Sequence, residues 1–150
     1  INFNYTHTTQ IFYSNRMDLT GQAEINLGTL RTDLATDLQF RIGKRIHKFG
    51  NSGPKENRSL DDNWQLYLYM GVTPRFVLYN ATLQGGLFNP LQVHHTLTYN
   101  EIEKLIFELR SGITLGYKNY NIIFQVNQLT PEFKSGKSHA WGTISLRYDF

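Results

Sequence analysis

A transmembrane antiparallel β-barrel is the fold this sequence predicts, and three observations predict it. First, read in twos, the closing segment puts Ala140, Gly142, Ile144, Leu146, Tyr148 and Phe150 on one face. His139, Trp141, Thr143, Ser145, Arg147 and Asp149 fall on the other. That is the period of a strand with one apolar and one wet side, and it stops on an aromatic residue, as the last strand of an outer-membrane barrel does at its interfacial girdle. Second, the 150 residues are 40% hydrophobic with a mean hydropathy of -0.41. No apolar run reaches the roughly eighteen residues a membrane-crossing helix requires, whereas a barrel strand needs only alternate residues apolar. Third, nine Tyr, ten Phe and two Trp supply material for aromatic belts. A soluble barrel of the lipocalin type shares the period, but its apolar faces point inward and its connections are not systematically asymmetric.

In chain order the alternation gives eight strands. The first, Phe3 to Tyr13, presents Phe3, Tyr5, His7, Thr9, Ile11 and Tyr13 on its apolar side. His7 and Thr9 suit lipid poorly, so a bulge or a protein cover is expected there. After Ser14-Asn15-Arg16, the second strand sets Gly21, Ala23, Ile25 and Leu27 against Gln22, Glu24 and Asn26. The third faces Leu34, Thr36, Leu38, Phe40 and Ile42 outward, with Asp33, Asp37, Gln39 and Arg41 opposite. Charges on one strand face are costly in lipid, so that side reads as a polar lumen. Trp64, Leu66, Leu68 and Met70 mark a fourth strand, which Thr73-Pro74-Arg75 is expected to turn into a fifth, Phe76 to Leu83. Both parities of that fifth strand hold apolar residues. The sixth carries Phe107, Leu109, Ile113, Leu115 and Tyr117 outward; the seventh carries Ile122, Phe124 and Val126; the closing segment is the eighth.

Connections alternate between short and long. Working back from a C-terminus on the periplasmic side, the long connections at 44–63, 84–104 and 129–138 are expected outside and the turns at Gly28, Pro74 and Asn119 inside. Cysteine is absent, which removes disulfides, thiolate metal sites and cysteine nucleophiles. The sequence opens on Ile1, without Met or a signal peptide, which fits either a processed mature protein or a piece of a longer one; Ile1 sits so close to the first strand that a piece is expected.

Three segments carry a family resemblance. Leu27-Gly28-Thr29-Leu30-Arg31-Thr32, Ala81-Thr82-Leu83-Gln84-Gly85-Gly86-Leu87-Phe88 and the run from Leu129-Thr130-Pro131-Glu132-Phe133-Lys134 through Ser138-His139-Ala140-Trp141-Gly142 resemble the C-terminal half of the lipid A deacylase (LpxR) family. The resemblance implies a single outer-membrane barrel of about twelve strands, of which residues 1–150 form the C-terminal part. It also implies removal of the 3'-linked acyl chains of lipid A in lipopolysaccharide by ester hydrolysis, with calcium as cofactor, and assembly through recognition of the closing strand that ends at Phe150. The family's catalytic residues belong to the N-terminal half and have no matching position here, so no catalytic residue and no metal ligand is expected in this chain. No nucleic-acid partner is expected.

The residues themselves agree with that assignment. Ser145 and His139 share a face, but six residues at about 3.3 Å each separate them by roughly 20 Å, too far for a nucleophile and its base. His94-His95 with Glu101 or Glu103 lacks the scaffold of a metal site and reads as a solvated loop. Glu24, Asp33, Asp37, Arg41, Glu108, Arg110, Arg147 and Asp149 read as ion pairs filling a small barrel's interior. Cations of the long loops, Lys44, Arg45, Lys48, Lys134 and Lys137, are the candidate substrate contacts, meeting lipid A phosphates at the outer leaflet, with ordinary solvated loops as the alternative. A complete eight-stranded, non-enzymatic barrel binding surface partners is the alternative, and it requires the first strand to pair with the last.

Overall fold

The computed structural model describes residues 1–44, 64–86 and 96–148. They form one antiparallel sheet in which each strand pairs with its neighbours in the chain: β1 (Asn2–Tyr13), β2 (Met17–Gly28), β3 (Arg31–Lys44), β4 (Trp64–Asn80), β5 (Leu105–Tyr117), β6 (Tyr120–Leu129) and β7 (His139–Tyr148), with a four-residue helix α1 (Ala81–Gln84) after β4. There are therefore seven strands where the alternation predicts eight. The expected turn at Thr73-Pro74-Arg75 does not occur: these residues lie inside β4, which runs straight on for 17 residues.

Pro74 is tolerated because of which neighbour it faces. Val77 N–H donates to the Lys104 carbonyl on the β5 side, so alternate residues, Pro74 among them, turn their backbone groups toward β3. On the β5 side pairing continues unbroken through Thr73↔Glu108 and Pro74↔Phe107. On the β3 side it runs to Ala35↔Arg75 and resumes at Leu38↔Val72 in the same register. The missing N–H thus costs one local ladder contact instead of ending the strand.

The sheet is inside out for a water-soluble protein. Leu66, Leu68, Met70, Phe76 and Leu78 of β4 are exposed, as are Leu105, Leu109, Phe124, Ile144 and Leu146 across β5 to β7. Asp18, Asp33, Thr73, Thr114, Asn121 and Asn127 on the opposite face are buried. A small apolar plug of Ala35, Val77, Ile102 and Ile106 sits on that polar face near one end, which is why both parities of the segment after Pro74 look apolar in sequence. In β1 a bulge falls between Gln10 and Phe12; Phe12 opposes apolar-side Leu19, and Tyr13 opposes Asp18 on the polar face, not the apolar face expected. The bulge comes after His7 and Thr9, which stay on the apolar side opposite Ala23 and Gly21.

The two ends of the sheet differ. At one lie Ser14 to Arg16, the Lys118-Asn119 turn with Lys118 at φ 54, and the last residues of β3 and first of β4. Exposed aromatic pairs gather there, Trp64 with Tyr117 at 4.7 Å and Tyr120 with Tyr148 at 5.0 Å between ring centroids. This is an interfacial girdle. At the other end lie the turn between β2 and β3, the connection from β4 to β5 and the connection from β6 to β7. The connection leaving Lys44 therefore starts at the girdle end, opposite the other two long connections, a correction that follows directly from the loss of the turn at Pro74. Among the described residues β1 pairs only with β2 and β7 only with β6, so an eight-stranded closure of first strand on last is not formed.

Large polar-face side chains lie over glycines of the next strand. A Cβ at Gly112 would sit 2.6 Å from the Tyr69 hydroxyl oxygen and collide with the Phe124 carbonyl, whereas one at Gly86 would meet nothing within 4 Å. Gly112→Ala is expected to destabilise the folded protein by about 2 kcal/mol through overpacking, with Gly86→Ala close to neutral. Urea unfolding in lipid vesicles checks the difference; equal stabilities would contradict this packing.

Candidate functional site

The polar face is organised as charge clusters that each span several strands. Asp18, fully buried, accepts Gln10 Nε2 on Oδ1 at 2.5 Å and, on Oδ2, both Arg41 Nε at 2.8 Å and Arg41 Nη2. One carboxylate thereby ties β1, β2 and β3. Toward the far end, Asp33 accepts Arg75 Nη1 at 2.6 Å and Asn26 Nδ2 at 3.0 Å on Oδ1 and pairs through Oδ2 with Arg31 Nε. Arg75 also reaches Glu24 at 3.5 Å. Between these clusters Asp37 Oδ1 accepts the Thr73 hydroxyl at 2.8 Å and Arg110 Nη2, linking β3, β4 and β5. Farther along the sheet Tyr69 donates to Gln125 Oε1 at 2.6 Å, and Gln125 in turn donates to Asn127.

A cavity of about 230 Å³ opens on this face among Gln39, Arg41, Tyr67, Tyr69, Arg110 and Gln125. Its two guanidinium groups are already neutralised, Arg41 by Asp18 and Arg110 by Asp37. The expected ion-pair filling is thus present for Glu24, Asp33, Asp37, Arg41 and Arg110. Asp18, Arg31 and Arg75 join it although the sequence reading passed over them. Asp18 precedes the point at which the second strand was expected to start, yet it shares parity with Gln22 and Glu24; Arg75 was assigned to a turn that does not exist. Asp149 and the pair His94-His95 lie outside the described residues.

At the end opposite the girdle two connections are stitched together. Ile102 bridges to Phe133, Glu103 N–H donates to the Glu132 carbonyl and Lys134 N–H to that of Glu101, each at 2.9 Å. Thr130 extends the ladder by exchanging bonds with Phe107 through its own N–H and its hydroxyl. Gly136 closes the stretch, since a Cβ there would press on the Phe133 ring at 3.3 Å. The Thr130-Pro131-Glu132-Phe133-Lys134 run therefore serves as framework, holding Lys134 beside Glu101. Two hydrogen bonds from Thr98, hydroxyl and backbone N–H, both 2.7 Å, hold the Glu101 carboxyl below its ordinary 4.5, and the Lys134 ammonium acts in the same direction.

Of the five expected substrate-contacting cations, the three that are described, Lys44, Lys134 and Lys137, are not brought together. Lys134 and Lys137 are exposed in the stitched connection. Lys44 ends β3 at the girdle end, and Arg45 and Lys48 lie outside the described residues. A single membrane leaflet cannot serve both groups, because the 17-residue β4 at about 3.3 Å per residue separates the two ends by some 50 Å along the strand. His139 and Ser145 sit opposite Leu129 and Ile123, near the two ends of β7, and do not meet. Among the described residues no group of three or more His, Asp or Glu is placed to hold a metal ion. Calcium does not fit the polar-face carboxylates, because it needs six or more oxygen ligands and Asp18, Asp33 and Asp37 are each occupied by guanidinium groups.

Two predictions follow from this geometry. Asp18→Asn strips the charge from a fully buried partner of Arg41 and is expected to cost about 3 kcal/mol, read by urea unfolding in lipid vesicles against a surface change such as Lys137→Gln. The Glu101 carboxyl, its pKa lowered on folding, holds the 98–101 turn at pH above 4.5 and releases it as pH falls through the lowered value. Carboxyl chemical shifts are expected to place its midpoint below that of an ordinary glutamate, and Thr98→Ala to move it back up.

Comparison with known proteins completes the description. A family model described as "Outer membrane protein LpxR" matches residues 1–150. Among curated proteins none matches the chain. The solved structure of LpxR from Salmonella typhimurium superposes with a TM-score of 0.67 at 20% identity, covering 99% of this chain and 51% of that one. The chain thus spans about half the length of that protein.

Proposed function

The chain belongs to the LpxR family of outer-membrane proteins, and from that premise we propose that it forms the C-terminal wall of a lipid A 3'-O-deacylase. In this reading the remaining strands come from the rest of the protein, closing a barrel of about twelve. The catalytic groups, and the calcium they work with, sit on that other part. The observation that carries the proposal is the family match along the whole chain, joined to an inside-out sheet in which, among the described residues, β1 pairs with β2 and β7 with β6 but the two do not pair with each other. The polar face supports it too: Asp18, Asp33 and Asp37 are matched by arginines, which suits a wall that holds shape and leaves the chemistry elsewhere. A complete eight-stranded barrel would need β1 on β7.

Within this reading the stitched connection faces the outer leaflet, where Lys134 and Lys137 meet the phosphates of the lipid A headgroup. Lys44, at the end of β3, faces the opposite interface. The closing strand, ending at Phe150, is the segment recognised by the barrel-assembly machinery.

The full-length protein, expressed in a bacterial outer membrane, is expected to yield lipid A lighter by its 3'-linked acyl group in mass spectra of extracted lipid. Unaltered lipid A from correctly inserted protein would overturn the proposal. Replacing Lys134 and Lys137 together by Glu is expected to raise KM for lipid A roughly tenfold, about 1.4 kcal/mol of binding, with kcat little changed.

A further inference from the structure

The interruption between β3 and β4 is placed where a membrane wall can least afford one. Thr36 and Pro74 stand opposite each other on the apolar face, in a row continued by Ala23 on β2 and Phe107 on β5. Both turn their backbone groups into the seam, and Pro74 has no N–H to give, so the Thr36 carbonyl lacks its ladder donor. In hydrocarbon a carbonyl without a donor is costly. On the β2 side of the seam the apolar face carries only the small side chains of Ala23 and Thr36.

The polar side of the seam is built differently. Directly behind it the Asp37 carboxylate, on β3, grips the Thr73 hydroxyl on β4 and Arg110 on β5, and Arg110 also reaches Thr73 at 3.3 Å. One row farther along, Gln39, Gly71 and Arg110 stand side by side and line the 230 Å³ cavity. Side-chain bonds from the polar face thus replace the backbone bond that proline removes, while the register on either side is unchanged.

We propose that the seam at Pro74 is a built-in weak point of the barrel wall: β3 and β4 part locally there, joining the apolar face to the polar cavity, and the Asp37–Thr73–Arg110 clasp holds them shut. Opening hydrates the Thr36 carbonyl from the cavity side, while the paired segments above and below keep the strands in register. The clasp controls opening, because it ties β3 to β4 through side chains across the interrupted stretch. The inference concerns the wall alone and does not depend on which reaction the whole protein carries out.

Hydrogen exchange of the full-length protein in lipid vesicles tests it, comparing amides that face the same seam. The Thr36 amide is expected to exchange about 100-fold faster than those of Leu34 and Phe40, which lie on the same strand and face the same neighbour. Asp37→Asn is expected to speed Thr36 further by about tenfold without changing Phe40. Pro74→Val, which returns the missing donor, is expected to bring Thr36 to the rate of its neighbours. Equal protection of Thr36 and Phe40 in the unaltered protein would overturn the proposal, and so would an Asp37→Asn variant, folded by circular dichroism, in which Thr36 exchanges at the original rate.

Discussion

In the hydrocarbon of a membrane a backbone N–H or C=O has no water to turn to, and this requirement governs the rest of the structure. A sheet meets it only by pairing every strand with a neighbour, which the continuous order from β1 to β7 does for the five inner strands. Once pairing is fixed, the two-residue period distributes side chains automatically: one parity must tolerate lipid and the other must fill a polar interior. The exposed leucines and isoleucines of one face and the buried aspartates, asparagines and threonines of the other follow from that division. So does the place of Pro74, which is supported by pairing to β5 on one side and by a carboxylate clasp toward β3 on the other.

The polar face solves a second problem, that of keeping charge out of water. Three buried or half-buried aspartates engage guanidinium across strand boundaries, Asp18 with Arg41, Asp33 with Arg75 and Asp37 with Arg110. Such pairs contribute little net stability over an apolar filling, but breaking one leaves an uncompensated charge. They therefore specify register strongly: sliding β3 against β4 by two residues would separate Asp33 from Arg75 and Asp37 from Thr73 at once. A wall built this way holds its geometry.

Much of this was legible in the residues. The strands from Gly21 to Ile42 and from Phe107 to Val126 show their faces plainly, because hydrophobic and polar residues alternate there without exception that matters. Pro74 misled, since proline in a central strand ordinarily argues against that strand, and only the backbone direction at Val77 reveals that its missing donor points at a single neighbour. That one misreading added a strand, put the connection after Lys44 on the wrong side and hid Arg75 from the ion-pair inventory. The bulge at Gln10 and Phe12 hid a second detail, the turn of Tyr13 onto the polar face. The stitched connection was recognisable only as a family signature; that its residues pair with 101–107 depends on contacts between segments far apart in the chain, which periodicity does not report. The candidate phosphate contacts were grouped by charge, and charge alone says nothing about which end of a sheet a loop leaves from.

The measurement that tests this account most directly is a cysteine scan along β4, straightforward because the sequence contains no cysteine of its own. Single cysteines from 66 to 78 would carry a fluorophore in bilayers containing a lipid-borne quencher. Quenching is expected at Leu66, Leu68, Met70, Val72, Pro74, Phe76 and Leu78 and not at the odd-numbered positions between them, so that the alternation runs straight through Pro74. An alternation that reverses after Thr73, or equal quenching at both parities, would show that the chain turns there or that the polar face meets lipid, and would contradict the single inside-out wall.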